Sequence, residues 1–359
     1  MPQEGVGIAK SVTLEKALPT RPWLVHIWGR SSRGRDKTLL VFTNGRRIHM
    51  STLYLTHPIC LEHEAPPGHP ERPDRLRAVW RALDDARFRA LERREAKAAD
   101  PDLALLVHDE RYCAALPKFI PPEGRIANID ADTYLSAHSW PAILHATGAS
   151  VEAVDAVIGE EAKNAFCATR PPGHHAERAR AMGFCLFNHV AIAARHAQRA
   201  HGVERVAIVD FDVHHGNGTQ DIFWSDKSVL YASSHQWPLY PGTGAGSETG
   251  EHDNIVNLPL ASGTGPQVFR AAYESVILPR VDAFEPDLIV VSAGFDAHRR
   301  DPLASLDIGE EEFGWVTRRL VEIAERRCAG RIVSVLEGGY DLNGLAASAT
   351  AHVEALMEA

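Results

Sequence analysis

The chain has 359 residues, of which 45% are hydrophobic and 24% charged, a composition that can build a globular core. Its net charge of −9 argues against broad, sequence-independent binding to nucleic acid, which requires a basic surface. No apolar run reaches the length of a membrane span, and the five cysteines are never spaced as CxxC, which disfavours a disulfide framework or a thiolate zinc site. We expect a cytoplasmic protein with no nucleic-acid or membrane partner.

The beginning of the chain differs in composition from the rest. Residues 1–49 contain nine Lys or Arg against three Asp or Glu, and no helical or strand period is sustained there. We therefore expect residues 1–50 to be a poorly ordered N-terminal extension. Residues 51–359 contain no linker-like tract and no internal repeat, so we expect a single domain there.

From residue 51 onward, apolar runs alternate with helical stripes. A short strand is predicted at 53–55, a helix is predicted to begin near Pro73, and a second helix is predicted over 146–158. Further strands are predicted at 165–169, 206–210, 229–233, 255–258, 288–293 and 332–336, and further helices at 190–201, 219–223, 268–281, 311–327 and 345–357. This alternation predicts an α/β fold in which a parallel sheet has helices on both faces.

Four of the predicted strands end in polar or glycine-rich clusters. The clusters are RPPGHH at 170–175, DFDVHHGNGT at 210–219, SAGFD at 292–296 and EGGY at 337–340. Because parallel strands deliver their carboxyl ends to one edge of a sheet, we expect the four clusters to converge. This convergence favours a shared active site over four unrelated caps or core histidines.

The cluster at 210–219 can hold a metal ion. In an extended chain Asp210, Asp212 and His214 point to the same side, because residues two apart share a face. Asp212, His214 and Asp296 together make a three-ligand set with an open position, as a catalytic zinc requires. Asp210, one step further back, would orient a histidine or bind a second, harder cation.

The remaining clusters supply the groups that hydrolysis needs. Two carboxylate ligands already cancel the charge of Zn²⁺, so the pKa of its bound water would be lowered less than if three neutral histidines bound the ion. A separate base is therefore necessary. His174 and His175 supply that base. Tyr340 can bring its phenol to the far side of the reacting carbonyl and stabilise an oxyanion there. The residues thus indicate amide or ester hydrolysis by a metal-activated water.

With these motifs, the sequence resembles the zinc-dependent histone deacetylase family, which includes bacterial histone deacetylase-like amidohydrolases and acetylpolyamine amidohydrolases. The resemblance covers about residues 52–357, is strongest toward the class II branch, and rests on RPPGHHA, MGFCLFN, DFDVHHGNGTQD, SAGFDAH and LEGGY. It implies a three-layer arginase-like fold with an eight-stranded parallel sheet, and one Zn²⁺ per chain.

The resemblance also implies a role for each motif residue. Asp212, His214 and Asp296 look like the zinc ligands, His174 like the histidine hydrogen-bonded to the zinc water, His175 like the proton donor to the leaving amine, and Tyr340 like the oxyanion-polarising tyrosine. Asp210 matches the carboxylate behind the first histidine. Asn217 matches the class II partner of His175, and because it is neutral it would stabilise an imidazolium less than a carboxylate does.

Two further sites follow from the resemblance. A structural potassium ion would be bound by Asp210, Asp212, His214, Ser233 and Ser234, largely through backbone oxygens, and a second by Phe223, Asp226 and Val229. Gly183 and Phe184 resemble one wall of the acyl-lysine tunnel, and Tyr240 occupies the opposite wall, where many relatives have Phe. Leu303 lies at the rim position where polyamine-selective members have Glu, and it cannot recognise a distal ammonium by charge.

The leading hypothesis is a zinc-dependent deacetylase that acts on acetylated lysine side chains or other acetylated amines. An acetylpolyamine amidohydrolase is the alternative enzyme, and a non-catalytic acyl-group binding protein is the alternative from another class. An arginase-like binuclear hydrolase is disfavoured, because the metal motifs offer one His and two Asp. The sequence leaves the physiological substrate, the acyl-chain preference and homo-oligomerisation open.

Overall fold

A computed structural model describes residues 51–359. The predicted N-terminal extension, residues 1–50, lies outside the described residues, so its boundary with the predicted domain stays a prediction. Within the described residues, no helix combines the length and the apolar character that a membrane span requires.

An eight-stranded parallel sheet lies at the centre of the fold. The strands of the described residues are β1 (Thr52–Thr56), β2 (Glu92–Glu95), β3 (Ala127–Asn128), β4 (Tyr134–Leu135), β5 (Asn164–Cys167), β6 (Val206–Asp210), β7 (Val229–Gln236), β8 (Ile255–Leu260), β9 (Leu288–Ala293) and β10 (Ile332–Leu336). The sheet order is β2-β1-β5-β10-β9-β6-β7-β8, and β3 and β4 form a separate antiparallel pair. The predicted parallel α/β architecture is confirmed.

Helices cover both faces of this sheet. They are α1 (Pro73–Leu83), α2 (Glu110–Ala115), α3 (Ser139–Ile158), α4 (His189–His201), α5 (Asn217–Phe223), α6 (Pro266–Ala272), α7 (Leu278–Phe284), α8 (Glu310–Arg327) and α9 (Leu342–Met357). Alternate side chains of β6 enter two different cores: Ala207 and Val209 pack with α1, α8 and α9, and Val206 and Ile208 pack with α3 and α4. The result is a three-layer fold.

Several elements differ from the sequence prediction. The prediction lacks α2, β3 and β4, and the helix predicted over 268–281 is divided into α6 and α7. The differences at β2 and α3 have a clear physical reason. β2, with the sequence ERRE, was not predicted because it lacks an apolar run, and it forms an edge of the sheet, where charged side chains face solvent and prevent pairing with other chains. α3 begins at Ser139, seven residues before the predicted start at 146. Pro141 lies in its first turn, where proline needs no hydrogen-bond donor and is compatible with a helix.

The sheet order explains how the motifs meet. The four strands that end in polar or glycine-rich clusters are β5, β10, β9 and β6, and these are four adjacent strands in the middle of the sheet. Because they are parallel, their carboxyl ends lie side by side at one edge. The predicted convergence of the four clusters follows from this order.

Candidate active site

Three potential metal ligands lie together at the ends of β6 and β9. His214 Nδ1 is 3.2 Å from Asp212 Oδ1 and 3.1 Å from Asp296 Oδ2. The side chains of Asp212 and Asp296 are 1% and 0% exposed, and that of His214 is 10% exposed. Two buried carboxylates and one imidazole therefore converge, and only the imidazole reaches toward solvent.

Backbone N–H groups orient both carboxylates. Asp212 Oδ1 accepts a hydrogen bond from the His214 amide at 2.9 Å, and Asp212 Oδ2 accepts one from the Gly338 amide at 2.8 Å. Asp296 Oδ1 accepts one from the Val213 amide at 2.8 Å. These bonds link the ends of β6, β9 and β10, so the carboxylate positions depend on the sheet order.

Two glycines make room for the carboxylates. A Cβ atom at Gly294 would lie 2.1 Å from Asp212 Oδ2, and one at Gly338 would lie 2.2 Å from Asp296 Oδ2. Any larger residue at either position would displace a carboxylate oxygen. The glycines of the SAGFD and EGGY motifs are therefore required by the close approach of three loops.

His174 lies behind this cluster in contact with a buried carboxylate. Its Nδ1 donates to Asp210 Oδ2 at 3.0 Å, and the same oxygen accepts the Tyr231 hydroxyl at 3.0 Å. Burial alone would lower the pKa of His174, but the charges of Asp210 and Asp212 outweigh it and raise that pKa to about 10. Asp210 thus favours a protonated His174.

His175 has a neutral partner instead. Its Nδ1 donates to Asn217 Oδ1 at 2.8 Å, while Asn217 Nδ2 donates to Glu177 Oε1 at 2.7 Å. Glu177 thereby fixes which way the Asn217 amide faces, and the amide oxygen in turn fixes the hydrogen of His175 on Nδ1. Burial, followed by the charges of His174 and His214, lowers the pKa of His175 well below its usual value. The two adjacent histidines are thus driven toward opposite charge states.

Glu337 directly follows β10 and is the first residue of the EGGY motif. Its side chain holds the loop that carries His174 and His175. Its Oε2 accepts the backbone amides of Gly173 at 2.7 Å and His174 at 3.2 Å. Glu337 Oε1 is buried and has no hydrogen-bond partner among the described residues. Burial is the largest influence on Glu337 and raises its pKa to about 7. Glu337 therefore positions the backbone of the histidine loop.

Tyr340 is fixed by three contacts around its ring and backbone. Its amide donates to Asp301 Oδ2 at 2.7 Å, and Arg75 lies over its ring, with Cζ 4.8 Å from the ring centroid. The ring of Phe184 meets it edge-on at 5.8 Å. Burial raises the pKa of Tyr340 well above its usual value, so the phenol keeps its proton at neutral pH.

A buried ion network supports the loops around Tyr340. Glu71 Oε2 accepts from Arg170 Nη2 at 2.6 Å, and Glu71 Oε1 accepts from Arg75 Nη1 at 3.0 Å. Arg75 Nε in turn donates to the Gly339 carbonyl at 2.6 Å. All three charged side chains are at most 1% exposed. This network ties the RPPGHH and EGGY loops together.

A cavity of about 250 Å³ leads to these groups. It is lined by Asp132, His175, Gly183, Phe184, His214, Leu239, Tyr240, Leu303 and Tyr340. The four predicted tunnel residues thus share one cavity with the predicted catalytic residues His175 and Tyr340. His174, Asp212 and Asp296 lie behind the cavity surface.

The backbone beside the cavity is constrained at two successive residues. Gly183 has φ +56° and Phe184 has φ +68°, both in the left-handed region. A Cβ atom at Gly183 would lie 2.4 Å from His175 Cδ2. Gly183 is therefore required for its conformation and for the packing of His175 against the loop. The loop presents the Phe184 ring to the cavity, and the Phe184 amide donates to Thr133 Oγ1 at 3.1 Å.

Comparison with known sequences identifies the family. The chain matches the histone deacetylase domain over residues 69–356. It belongs to the histone deacetylase family. A probable deacetylase of Archaeoglobus fulgidus is 40% identical over 305 residues, which cover 82% of this chain and 83% of the relative.

Other histone deacetylase relatives agree in sequence and fold. The histone deacetylase-like amidohydrolase of Pseudomonas aeruginosa is 36% identical over 311 residues, covering 80% of this chain and 81% of the relative. The crystal structure of the HDA15 HD domain superposes with a TM-score of 0.80 at 38% identity, covering 86% of this chain and 88% of that one. The three-layer histone deacetylase fold predicted from the motifs is confirmed.

The donor set fits the divalent metal on which the histone deacetylase family depends. Asp212, His214 and Asp296 offer oxygen and nitrogen ligands within 4.8 Å of one another, all three residues are buried, and the glycine approaches leave room only for the carboxylates. Two carboxylates and one imidazole leave coordination positions for water and substrate. The structure therefore brings the predicted zinc ligands together, and the identity of the ion stays a prediction.

The predicted potassium ligands lie on neighbouring strands. Asp210 is paired with Ser233 across β6 and β7. The hydroxyl of Ser233 bonds to His235 Nδ1 at 2.9 Å and that of Ser234 to the Tyr273 hydroxyl at 2.7 Å, so the side chains have other partners. At the second predicted site, Asn254 Nδ2 lies 2.8 Å from the Phe223 carbonyl and 3.1 Å from the carbonyls of Asp226 and Val229. Potassium binding at both places stays a prediction.

Several residues that shape the site were missed by sequence reasoning. They are Arg75, Asp132, Glu177, Asp301 and Glu337. Glu177 directly follows RPPGHHA, and Glu337 lies within LEGGY, so motif position could have drawn attention to both. Arg75, Asp132 and Asp301 reach the site only through the fold of the chain. No spacing of residues in the sequence indicates that they lie there.

Proposed function

We propose that the chain is a zinc-dependent deacetylase that hydrolyses N-acyl amides of lysine-type amines to a carboxylate and a free amine. Its membership of the histone deacetylase family supports hydrolase activity of this kind. The observation that carries the proposal is the cavity of about 250 Å³, which joins apolar walls to His175, His214 and Tyr340. A linear, apolar stem with an amide at its end suits such a cavity.

The cavity walls orient the substrate. Phe184 and Tyr240 provide aromatic surfaces, and Leu239 and Leu303 add aliphatic ones. Apolar surface of this kind buries a chain of methylene groups at about 0.8 kcal/mol per CH₂. The acyl carbonyl would then lie beside Tyr340 and the cluster of Asp212, His214 and Asp296.

A zinc ion bound by Asp212, His214 and Asp296 would supply Lewis-acid polarisation of the carbonyl and activation of a water molecule. The protonated phenol of Tyr340 donates a hydrogen bond to the carbonyl oxygen as negative charge develops on it. Removing one such donor typically costs about 10²–10³-fold in rate. Arg75, above the Tyr340 ring, holds that ring in position.

The two histidines have different roles: His175 carries both proton transfers, and His174 supplies positive charge. His175 carries its hydrogen on Nδ1, so the lone pair of Nε2 is free to accept a proton from the attacking water. When the carbon–nitrogen bond breaks, the same Nε2 gives that proton to the leaving amine. His174 stays protonated beside Asp210 and offers positive charge to the reacting oxygens.

The test is a pair of substitutions with zinc content as the second readout. We expect Tyr340→Phe and His175→Ala each to abolish amine release from an acetyl-lysine reporter, while metal analysis shows unchanged zinc. Tyr54→Phe is the matched control, because it removes the hydroxyl of a tyrosine that lies outside the cavity. Near-normal turnover in either active-site variant would contradict the assigned roles.

One observation keeps the polyamine alternative open. Asp132 lines the same cavity, and its carboxylate could pair with the distal ammonium of an acetylpolyamine, which Leu303 cannot do. The two substrates are distinguished by comparing acetyl-lysine peptides with acetylputrescine and acetylspermidine on the zinc-loaded protein. If Asp132 selects polyamines, Asp132→Asn will reduce turnover of acetylspermidine more than turnover of acetyl-lysine.

The third candidate is a non-catalytic acyl-group binding protein. The complete set of metal ligands, histidines and tyrosine favours an enzyme over such a protein. The same substrate panel decides the matter, because a binding protein would show saturable binding of acyl-lysine without release of amine at any zinc concentration.

A further inference from the structure

A second cluster of histidines and a carboxylate lies on the surface where α3 meets α4. His196 Nε2 and His201 Nε2 are each 2.6 Å from the same oxygen, Asp155 Oδ1. The two imidazole rings are 5.6 Å apart and inclined by 79°. Three donor groups from two helices thus point to one place, and no sequence motif indicated this.

The helix geometry explains the convergence. Asp155 lies in the last turn of α3, one turn before its cap at Gly159, and His201 is the last residue of α4. Gly202 ends α4 with φ +69°, so the chain turns away and leaves the His201 side chain beside α3. The packing of the two helices therefore places the imidazoles over Asp155.

The donor atoms remain accessible from solvent. The side chain of Asp155 is 51% exposed, that of His201 is 25% exposed, and that of His196 is 14% exposed. Among the described residues, no lysine or arginine forms an ion pair with Asp155, and its Oδ2 accepts no hydrogen bond. Burial alone would raise the pKa of Asp155, but the hydrogen bonds from both histidines lower it, so the carboxylate is ionised at neutral pH.

We propose that Asp155, His196 and His201 form a second binding site for a divalent transition-metal ion of the Zn²⁺ type. The ion replaces the two Nε2–H···Oδ1 hydrogen bonds: the single hydrogen of each neutral imidazole moves from Nε2 to Nδ1 through solvent, and both Nε2 lone pairs and the Asp155 carboxylate then bind the metal. Two imidazoles and one carboxylate suit Zn²⁺, Ni²⁺ or Cu²⁺ and disfavour Mg²⁺ and Ca²⁺, which prefer oxygen ligands. Solvent exposure leaves room for water to complete the coordination.

A bound metal ion would hold α3 and α4 together. Its ligands come from two helices, Asp155 from α3 and His196 and His201 from α4, so the complete site exists only when the helices are packed. An ion that binds the folded chain and not the unfolded chain raises the melting temperature. The site thus links metal availability to stability, independently of the catalytic cavity.

The test is a Zn²⁺ titration of the holoprotein, with metal analysis after equilibrium dialysis. We expect wild type to bind one more zinc per chain than the double variant His196→Ala/His201→Ala, and we expect Asp155→Asn to lose the same ion. His252→Ala is the matched control, because His252 is an exposed histidine outside this cluster, and it should retain the extra zinc. The zinc-dependent rise in melting temperature of the holoprotein should also disappear in the double variant and in Asp155→Asn, and persist in His252→Ala.

Equal zinc content in wild type and the double variant would overturn the proposal. Failure to fold does not obscure this result, because all three side chains are partly exposed and circular dichroism reports the fold of each variant. The outcome is also independent of the deacetylase proposal. The comparison counts a difference of one ion between two proteins that share the same catalytic cluster.

Discussion

Two clusters of histidine and aspartate in this chain use the same donor groups in different surroundings. The buried cluster of Asp212, His214 and Asp296 is almost wholly enclosed, and its carboxylates also accept backbone amides from the ends of β6 and β10. The surface cluster of Asp155, His196 and His201 joins two neighbouring helices and is open to solvent. The ligand types are therefore not what separates the clusters.

What distinguishes the buried cluster is its environment. The charged partners His174 and Asp210 lie behind it, a cavity lies in front of it, and Tyr340 lines that cavity. In a buried site of low dielectric, these groups act on one another more strongly than they would in water. The surface cluster offers the ligands of the proposed second metal site, but the acid, base and oxyanion donor proposed for the buried site have no proposed counterpart there.

Loss of a buried ligand should have the largest effect. In Asp296→Asn the uncharged amide keeps the shape but binds zinc more weakly, so we expect activity to fall by more than about a hundredfold, because even the residues behind a metal ligand usually contribute 10–100-fold. Acetyl-lysine turnover and zinc content measure the outcome. The matched surface change, Asp155→Asn, should leave turnover at wild-type level, and a comparable loss there would erase the distinction between the clusters.

A change beside the cavity should have the next largest effect. The added methyl group of Gly183→Ala would lie 2.4 Å from His175 Cδ2 and must displace the ring. A shift of about 1 Å in a catalytic group can cost about 10²-fold in rate, and that is the loss we expect.

The control for this variant separates the clash from backbone strain. Gly124 also has positive φ, at +72°, but a Cβ atom there meets nothing within 4 Å. Gly124→Ala should therefore lose some stability and keep its kcat. Equal losses of kcat in the two variants would show that strain, and not contact with His175, is responsible.

A smaller effect should follow from Glu177, which acts on His175 only through Asn217. Glu177→Gln keeps the shape and removes the charge that fixes the Asn217 amide, so we expect kcat to fall about tenfold with KM unchanged, the size of effect typical of such indirect partners. The double variant Glu177→Gln/Asn217→Asp moves the carboxylate next to His175 and should recover activity. If kcat does not recover, the chain Glu177–Asn217–His175 does not operate as described.

The central strands could be predicted from the sequence. The bounds predicted for β6, β9 and β10 agree with the structure, because each is a short apolar run buried on both faces. β2 could not be predicted in this way, since an edge strand stabilised by pairing with β1 needs no apolar side chains. The start of α3 was placed too late because Pro141 was not recognised as a first-turn proline.

The candidate site was predictable only as far as its motifs reach. Residues at strand ends, such as Asp212 and Tyr340, can be recognised in the sequence because they follow apolar runs that the sheet must bury. Arg75 and Asp301 act across the fold on the loop of Tyr340, and their sequence neighbourhoods resemble any helix or turn. The surface cluster could not be predicted either, because Asp155 and His196 are 41 residues apart in the sequence.

The mildest expected effect concerns stability and contrasts a buried imidazole with the exposed ones. His352 is fully buried, bonded to the hydroxyls of Thr317 at 2.7 Å and Ser334 at 2.8 Å, and burial lowers its pKa to about 3. Between pH 6.5 and pH 3 the unfolded chain therefore binds a proton at His352 that the folded chain does not. Stability must fall as pH falls through this window, by about 1.4 kcal/mol for such a group between pH 7.5 and pH 5.5.

Urea unfolding of wild type and His352→Gln at pH 7.5 and pH 5.5 measures this contribution. The variant should be less stable at pH 7.5, because it loses packing against aromatic rings, but its decline on acidification should be smaller than that of wild type by about 1.4 kcal/mol. His196→Ala, in the surface cluster, should decline much as wild type does, since that substitution leaves His352 buried and bonded to Thr317 and Ser334. An unchanged decline in His352→Gln would mean that His352 accepts a proton within the folded chain, and burial would then not be what keeps this imidazole neutral.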